Sequence, residues 1–297
     1  MIQIGIDFGG TKIEAAALDS AGGYLERIRI PNPGNYDHAL TALCDLIAQI
    51  EHKLGTQGSV GIGVPGSISP RTGLMRNANS VYLNGRPFRE DLSRTLGREV
   101  RMANDANCLA LSEAVDGACA NARLVFAIIL GTGCGGGIAI DHQLHEGYNG
   151  IAGEWGHNPL PWAKIGETPG PLCWCGKRGC LEGWISGSGL QRDFYEQTGR
   201  TLSGADIIAE FRTGKPAARE AFDNLVHRLG RAIAAICNAM DPDAIVIGGG
   251  LSNIPEIYRD VPAIVKDYVF SDVCSTPIVP AKWGDASGVR GAARLWP

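Results

Sequence analysis

Two stretches of the chain, more than a hundred residues apart, carry one pattern, and that recurrence limits the folds open to it. IQIGIDFGGTKIEAAALD (residues 2–19) and VFAIILGTGCGGGIAID (residues 125–141) each read as an apolar strand, a turn of glycine and threonine, and a second apolar run closing on Asp. Two copies of one hairpin point to two related halves. Between them, DHALTALCDLIAQIEHKL has apolar residues at helical spacing, and SVGIGVPGSI reads as a buried strand stopped by Pro65 and Gly66. VRMANDANCLALSEAVDGA is a short strand that turns into a helix at Asn104 and Asp105. Residues 147–187 are rich in Gly, Pro, Trp and Cys, the composition of irregular structure that needs a staple. A helix from about 217 to 240, the strand DPDAIVIGGG and a last helix in SGVRGAARLWP follow. Strands alternating with helices predict an α/β fold.

At 297 residues the chain is at the size where one core tends to split, so two domains are expected. The net charge of -4, with Lys and Arg scattered singly, gives no footprint for nucleic acid. The longest apolar run, LVFAIIL, is far short of a bilayer span, and MIQIGID lacks the positive start and apolar stretch of a signal peptide. No membrane association and a cytoplasmic location are the expectations. Nine cysteines, an odd number without an export signal, point to thiols or metal ligands rather than a disulfide framework. Cys44, Cys108, Cys119, Cys134, Cys237 and Cys274 lie among apolar or small residues, the setting of buried inert thiols.

The turn Gly9, Gly10, Thr11, Lys12 combines exposed backbone amides with a hydroxyl and a positive charge, a phosphate cradle in outline. The competing reading is an ordinary type I′ hairpin turn. GTGCGG at Gly131, Thr132 and Gly133 onward matches G-x-G-x-x-G literally, but a strand follows where the dinucleotide fingerprint requires a helix. Repetition is what favours the phosphate reading, together with the third glycine group, Gly248 to Gly250, after a strand. Asn104 and Asp105 have two readings as well: a helix N-cap, or a carboxylate at a strand's carboxyl end acting as base toward a hydroxyl nucleophile. CWCGKRGC supplies Cys173, Cys175 and Cys180, and His157 in GEWGHNP completes a Cys3His set for zinc. Four protein ligands leave no open position, so such a metal is structural, and its binding contributes on the order of 10 kcal/mol to local folding. Trp155, Trp162, Trp174 and Trp184 are read as core of this stapled segment, and Glu154 and Glu182, by themselves, as solvated or paired surface acids.

As a group, IGIDFGGTKIEAA, IGVPGSI, ANDANC, ILGTGCGGGI, GEWGH, CWCGKRGCLE and IVIGGG resemble the ROK family of sugar kinases, within the hexokinase, actin and Hsp70 superfamily. PGSISPRTG, NANSVYLNGRPF and EWGHNPLPW are similar to bacterial fructokinases of the mannofructokinase type. The resemblance implies a two-domain α/β fold, ribonuclease H-like, with an interdomain cleft: residues 1–117, then 118–284 with the zinc-stapled loop, then a terminal helix in 285–297 packing back on the first domain. It implies Asp105 as catalytic base and Gly66, Asn79, Asn104, Glu154, His157 and Glu182 about the sugar. Gly9, Gly10, Thr11 and Lys12 with Gly131, Thr132 and Gly133 become the phosphate hairpins, Asp7 lies near Mg2+, and Gly249 and Gly250 approach the nucleoside. The implied reaction is transfer from MgATP to a hexose 6-hydroxyl, fructose first and mannose or glucose weaker, in a homodimer. An N-acetylhexosamine kinase or glucokinase is the alternative within the class. A sugar-sensing regulator is disfavoured because only three residues precede Ile4, leaving no helix-turn-helix. A catalytically dead sugar-binding protein is disfavoured by Asp7, Lys12 and Asp105 being present.

Overall fold

The computed structural model describes residues 2–296. The chain opens with β1 (Ile2–Phe8), β2 (Lys12–Leu18) and β3 (Tyr24–Pro31), then α1 (Tyr36–Leu54) and β4 (Gly58–Val64). A short ribbon of β5 (Ser67–Ile68) and β6 (Met75–Arg76) precedes α2 (Phe88–Leu96), β7 (Val100–Asn104) and α3 (Asp105–Val115). β8 (Leu124–Leu130), β9 (Cys134–Ile140) and β10 (Gln143–Leu144) follow, and after a long irregular stretch come α4 (Glu182–Ile185), α5 (Gly187–Thr198), α6 (Gly204–Arg212) and α7 (Pro216–Met240). β11 (Ala244–Gly248), α8 (Pro255–Tyr268), β12 (Ile278–Pro280) and α9 (Ser287–Ala293) complete it.

The hairpin echo in the sequence becomes an echo of whole sheets. One sheet has the order β3-β2-β1-β4-β7 and the other β10-β9-β8-β11-β12, so in each the hairpin's first strand is central. β1 runs antiparallel to β2 and parallel to β4, and β8 likewise runs parallel to β11. Two compact units result: Met1–Arg123 with Gly137–Ala152 and Lys282–Pro297, and Leu124–Gly136 with Gly153–Ala281. The sequence reading gave the second domain one continuous span, whereas here Gly137–Ala152 groups with the first unit. The division falls inside β9, and the local reason is close packing: a Cβ on Gly137 would stand 2.4 Å from the Ala106 carbonyl of α3.

In the first unit one face of the sheet is covered by α1 and α2. Leu43, Ile47 and Ile50 recur at helical spacing and join Ile4, Ile6, Phe8 and Ile62 in a single cluster, each buried aliphatic contributing about 1.5–3 kcal/mol. Asn35 starts α1 by accepting the His38 N–H at 2.9 Å, and Gly55 ends it in the left-handed conformation at φ 65°. Against Gly5 of β1 and its cross-strand neighbour Gly61 of β4 lies α9. A Cβ on either would stand 2.0 or 1.9 Å from a carbonyl of α9, so only glycine lets the helix lie flush on these strands.

In the second unit α7 carries two cations on its buried side. Arg231, with 0% exposure, pairs with Glu167 and donates to the carbonyls of Pro161 and Trp162, while Arg228 pairs with Glu167 and Asp193. These bonds tie the irregular 158–168 stretch to a long helix, which replaces the apolar core that stretch lacks. Among the described residues no helix is long and apolar enough to cross a membrane.

Candidate active site

In the first unit the β1–β2 turn has its carbonyls turned inward. Asn32 donates its backbone N–H to Thr11 O at 2.9 Å and its side-chain amide to Gly9 O at 2.7 Å, and Tyr82 in turn donates to Asn32 Oδ1 at 2.7 Å. A bend whose carbonyls are engaged from inside the protein presents its amides outward. Gly10, Thr11 and Lys12 are exposed at its tip, and nothing stands within 4 Å of where a Gly10 Cβ would be. Neither Asn32 nor Tyr82 was singled out from the sequence, since each acts through a fold contact with no local signature.

Asp7 lies at the end of β1, half-buried, beside Gly288 of α9, whose Cβ would sit 3.1 Å from its carboxyl carbon. Burial foremost, then the charges of Asp105 and Glu14, push its pKa up from 3.8 to about 6, against the opposing pull of Lys12 and Arg29. Glu14, in register with Asp7, is buried and salt-bridged to Arg27 and Arg29. An acid held where its neighbours repel it is a setting that a divalent cation relieves, so Asp7 fits the Mg2+ that accompanies a nucleotide.

Asn104 and Asp105 sit where β7 gives way to α3. Asn104 Oδ1 accepts the Asn107 N–H at 2.7 Å, so the N-cap reading holds for Asn104, and its amide N–H2 is what it offers a ligand. Asp105 is exposed, and its Oδ1 accepts the Ala106 N–H at 2.8 Å, placing the carboxylate at the positive end of α3. Gly66, at φ 81°, follows β4 and packs against Arg76–Ala78, where a Cβ would come within 2.4 Å of Arg76 O. Asn84 clamps the adjoining loop by two bonds of 2.9 Å to the backbone of Ala78, leaving Asn79 exposed at the next position.

In the second unit the β8–β9 turn is supported differently. Gly187 N–H donates to Gly131 O at 2.8 Å and Ser188 Oγ to Thr132 O at 2.7 Å, both from the start of α5, and Gly131 N–H closes on Gly133 O at 3.0 Å. Gly249, at φ 82°, lies against the end of β8: its Cβ would meet Leu130 O at 2.6 Å. Gly131, Thr132, Gly133, Gly249 and Gly250 are thus brought to one end of one sheet. Glu182 joins them, its Oε2 accepting the Cys134 N–H at 3.1 Å.

His157, Cys173, Cys175 and Cys180 have their ligand atoms within 4.8 Å of one another. His157 Nδ1 lies 3.6 Å from Cys173 Sγ, and Cys175 and Cys180 sulfurs are 3.6 Å apart. Four donors about a zinc at roughly 2.0–2.3 Å stand some 3.5–3.8 Å from one another, so the set fits a tetrahedral metal held through Nδ1. Trp155 anchors the strand side of the loop, its Nε1–H donating to Gly135 O at 2.9 Å, and Glu154 beside it is exposed. Trp155 and Trp184 are buried as expected, but Trp162 and Trp174 are exposed. Of the six cysteines outside this cluster, Cys44 and Cys274 are half-buried and the other four buried.

The chain matches the model of the ROK family over residues 3–297. It is 40% identical over 296 residues to an N-acetyl-D-glucosamine kinase of Pectobacterium atrosepticum, covering 98% of this chain and 97% of that protein. A ROK hexokinase from Thermus thermophilus superposes with TM-score 0.89 at 30% identity, covering 99% of this chain and 97% of the other. A ROK family glucokinase from Streptomyces griseus, solved with glucose and AMPPNP, superposes with TM-score 0.80 at 28% identity over 99% of both chains. The fold is therefore the two-domain α/β fold of the actin and hexokinase class. Within it, the protein belongs to the ROK family.

Proposed function

We propose that this protein is an ATP-dependent hexose kinase that phosphorylates the 6-hydroxyl, and that its hexose is N-acetyl-D-glucosamine. The observation that carries the kinase reading is Asp105, an exposed carboxylate at the N-terminal end of α3, electrostatically coupled to Asp7 and, through it, to the Lys12 end of an anion-binding bend. Asp105 takes the proton as the sugar oxygen forms its bond to the terminal phosphorus and the bond to the bridging oxygen of ADP breaks. Lys12 and the amides of Gly10 and Thr11, with those of Thr132 and Gly133, hold the phosphates, and Asp7 orients the cation's waters. Magnesium, when bound with ATP, supplies positive charge against the oxygens of the transferred group. Gly249 and Gly250 leave room for the nucleoside.

Asn104, Glu154, His157 and Glu182 hold sugar hydroxyls, with Gly66 and Asn79 completing the set. His157, held through Nδ1 when zinc is bound, would present Nε2 to a hydroxyl, so the ligand loop would preorganise the sugar site. The choice of N-acetyl-D-glucosamine is supported by the 40% identity to a kinase of that name over nearly the whole of both chains. Fructose is the second reading, resting on the loop NANSVYLNGRPF, which Asn84 holds in one shape. Values of kcat/KM on N-acetyl-D-glucosamine, fructose, mannose and glucose decide. The amino sugar should lead; a tenfold lead for fructose transfers the assignment to the second reading, and no turnover on any hexose removes the kinase reading.

A further inference from the structure

Trp174 stands between two cysteines of the metal-ligand set and is 66% exposed. A tryptophan left largely in water gains little from burial, so its polar edge and ring face are where its contribution lies. Its Nε1–H donates to Glu182 Oε1 at 2.7 Å, and its ring meets His157 edge-on at 5.0 Å between centroids and 83° between planes. The other oxygen of Glu182 accepts the Cys134 N–H at 3.1 Å and presses on Gly133, where a Cβ would stand 2.5 Å from it. A continuous path runs from the cysteine and histidine cluster through Trp174 and Glu182 to the β8–β9 bend.

A carboxylate suits this relay because it has two oxygens for two N–H donors, while an amide has one. It is also a hazard, since negative charge beside an anion-binding bend repels phosphate unless donors hold and damp it. The geometry points to Trp174 as a positioning residue that locks the Glu182 carboxylate against the second glycine bend, so that nucleotide affinity depends on the metal loop. This rests on the kinase reading above. Without the indole N–H, Glu182 Oε1 keeps only its long 4.0 Å contact with Cys173 Sγ, the Cys134 bond loosens, and undamped charge faces the phosphates before any sugar has bound.

The test is a sugar-free titration of zinc-loaded protein with methylanthraniloyl-ATP and Mg2+. Trp174→Phe keeps an aromatic ring and removes the donor; it should retain zinc and weaken nucleotide binding about three- to tenfold, the net worth of one ordinary hydrogen bond acting through Glu182. Glu182→Gln removes the charge that the indole damps, so adding Trp174→Phe to it should change nucleotide binding by less than about 1.5-fold, because both act through one carboxylate. A Trp174 that instead stacks on the sugar raises the sugar KM and leaves the sugar-free Kd unchanged; that result, or additivity in the cycle, overturns the proposal. Should Trp174→Phe lose its zinc or its fold, Trp174→Leu replaces it with the same expectation, and a Kd within about 1.5-fold of wild type overturns the proposal. A wild type that phosphorylates no hexose removes the kinase reading, whereas an active kinase with unchanged nucleotide affinity in Trp174→Phe removes only this inference.

Discussion

The first glycine bend sits among charges: Lys12 at its tip, Asp7 at its base, and Asp105 close enough to raise the pKa of Asp7. The second, Gly131–Gly133, has no ionisable residue of its own and is propped instead by the start of α5 and by Glu182 reaching from the metal loop. Both bends turn their carbonyls inward, one through Asn32 and the other through Gly187 and Ser188. The duplicated hairpin preserves a backbone shape, and the two copies have divided the labour. One copy is surrounded by ionisable side chains, and the other is an uncharged turn whose shape is maintained from outside.

If chemistry resides with the first bend, Asp105→Asn should lower kcat by at least about a thousandfold with an unchanged melting temperature, since Asn104 still caps α3. Activity above a few per cent removes Asp105 from the role of base. If the sugar site depends on the metal-ordered loop, Cys180→Ser should lose the metal, melt lower and raise the sugar KM roughly tenfold; loss of zinc with an unchanged KM breaks the link between metal and sugar site. Gly133→Ala puts a methyl against Glu182 and should weaken nucleotide binding about tenfold, measured by titration.

The smallest effect is on stability. Burial and Asp105 hold Asp7 near 6 in the folded chain against an ordinary 3.8, so its contribution is full below about pH 4 and is lost as pH rises through 6. Asp7→Asn should therefore stabilise the ligand-free protein by on the order of 2 kcal/mol at pH 7, a gain that closes near pH 4, while impairing turnover. Melting curves across that range test it, and a gap that widens toward acid contradicts the cause assigned to the shift.

What the sequence makes legible follows from how local each signal is. The hairpin repeat, the long helix at 216–240 and the Cys3His set each lie within one short window, and all are present. The grouping of residues 137–152 with the first unit is not legible in the sequence, because a strand passing from one unit to another leaves no mark in its own alternation. Glu182 was foreseen near the sugar, but its bond to Cys134 joins positions 48 apart and depends on the loop's path. The exposure of Trp174 has no local mark, because tryptophan is on average a largely buried residue and its outward setting depends on the path of the loop. Fructose was inferred from loop motifs, and the relatives favour an amino sugar instead. A single substituent on the sugar ring separates such substrates, which is finer than motif order records.

The flush seat of α9 on Gly5 and Gly61 has a consequence during synthesis. The strands that form its floor leave the ribosome more than two hundred residues before the helix that covers them. At typical elongation rates that bare backbone surface waits roughly ten to fifty seconds for its cover. The amino-terminal half is thus made first and finished last, so a stalled or prematurely ended chain would expose an adhesive floor that the complete chain hides.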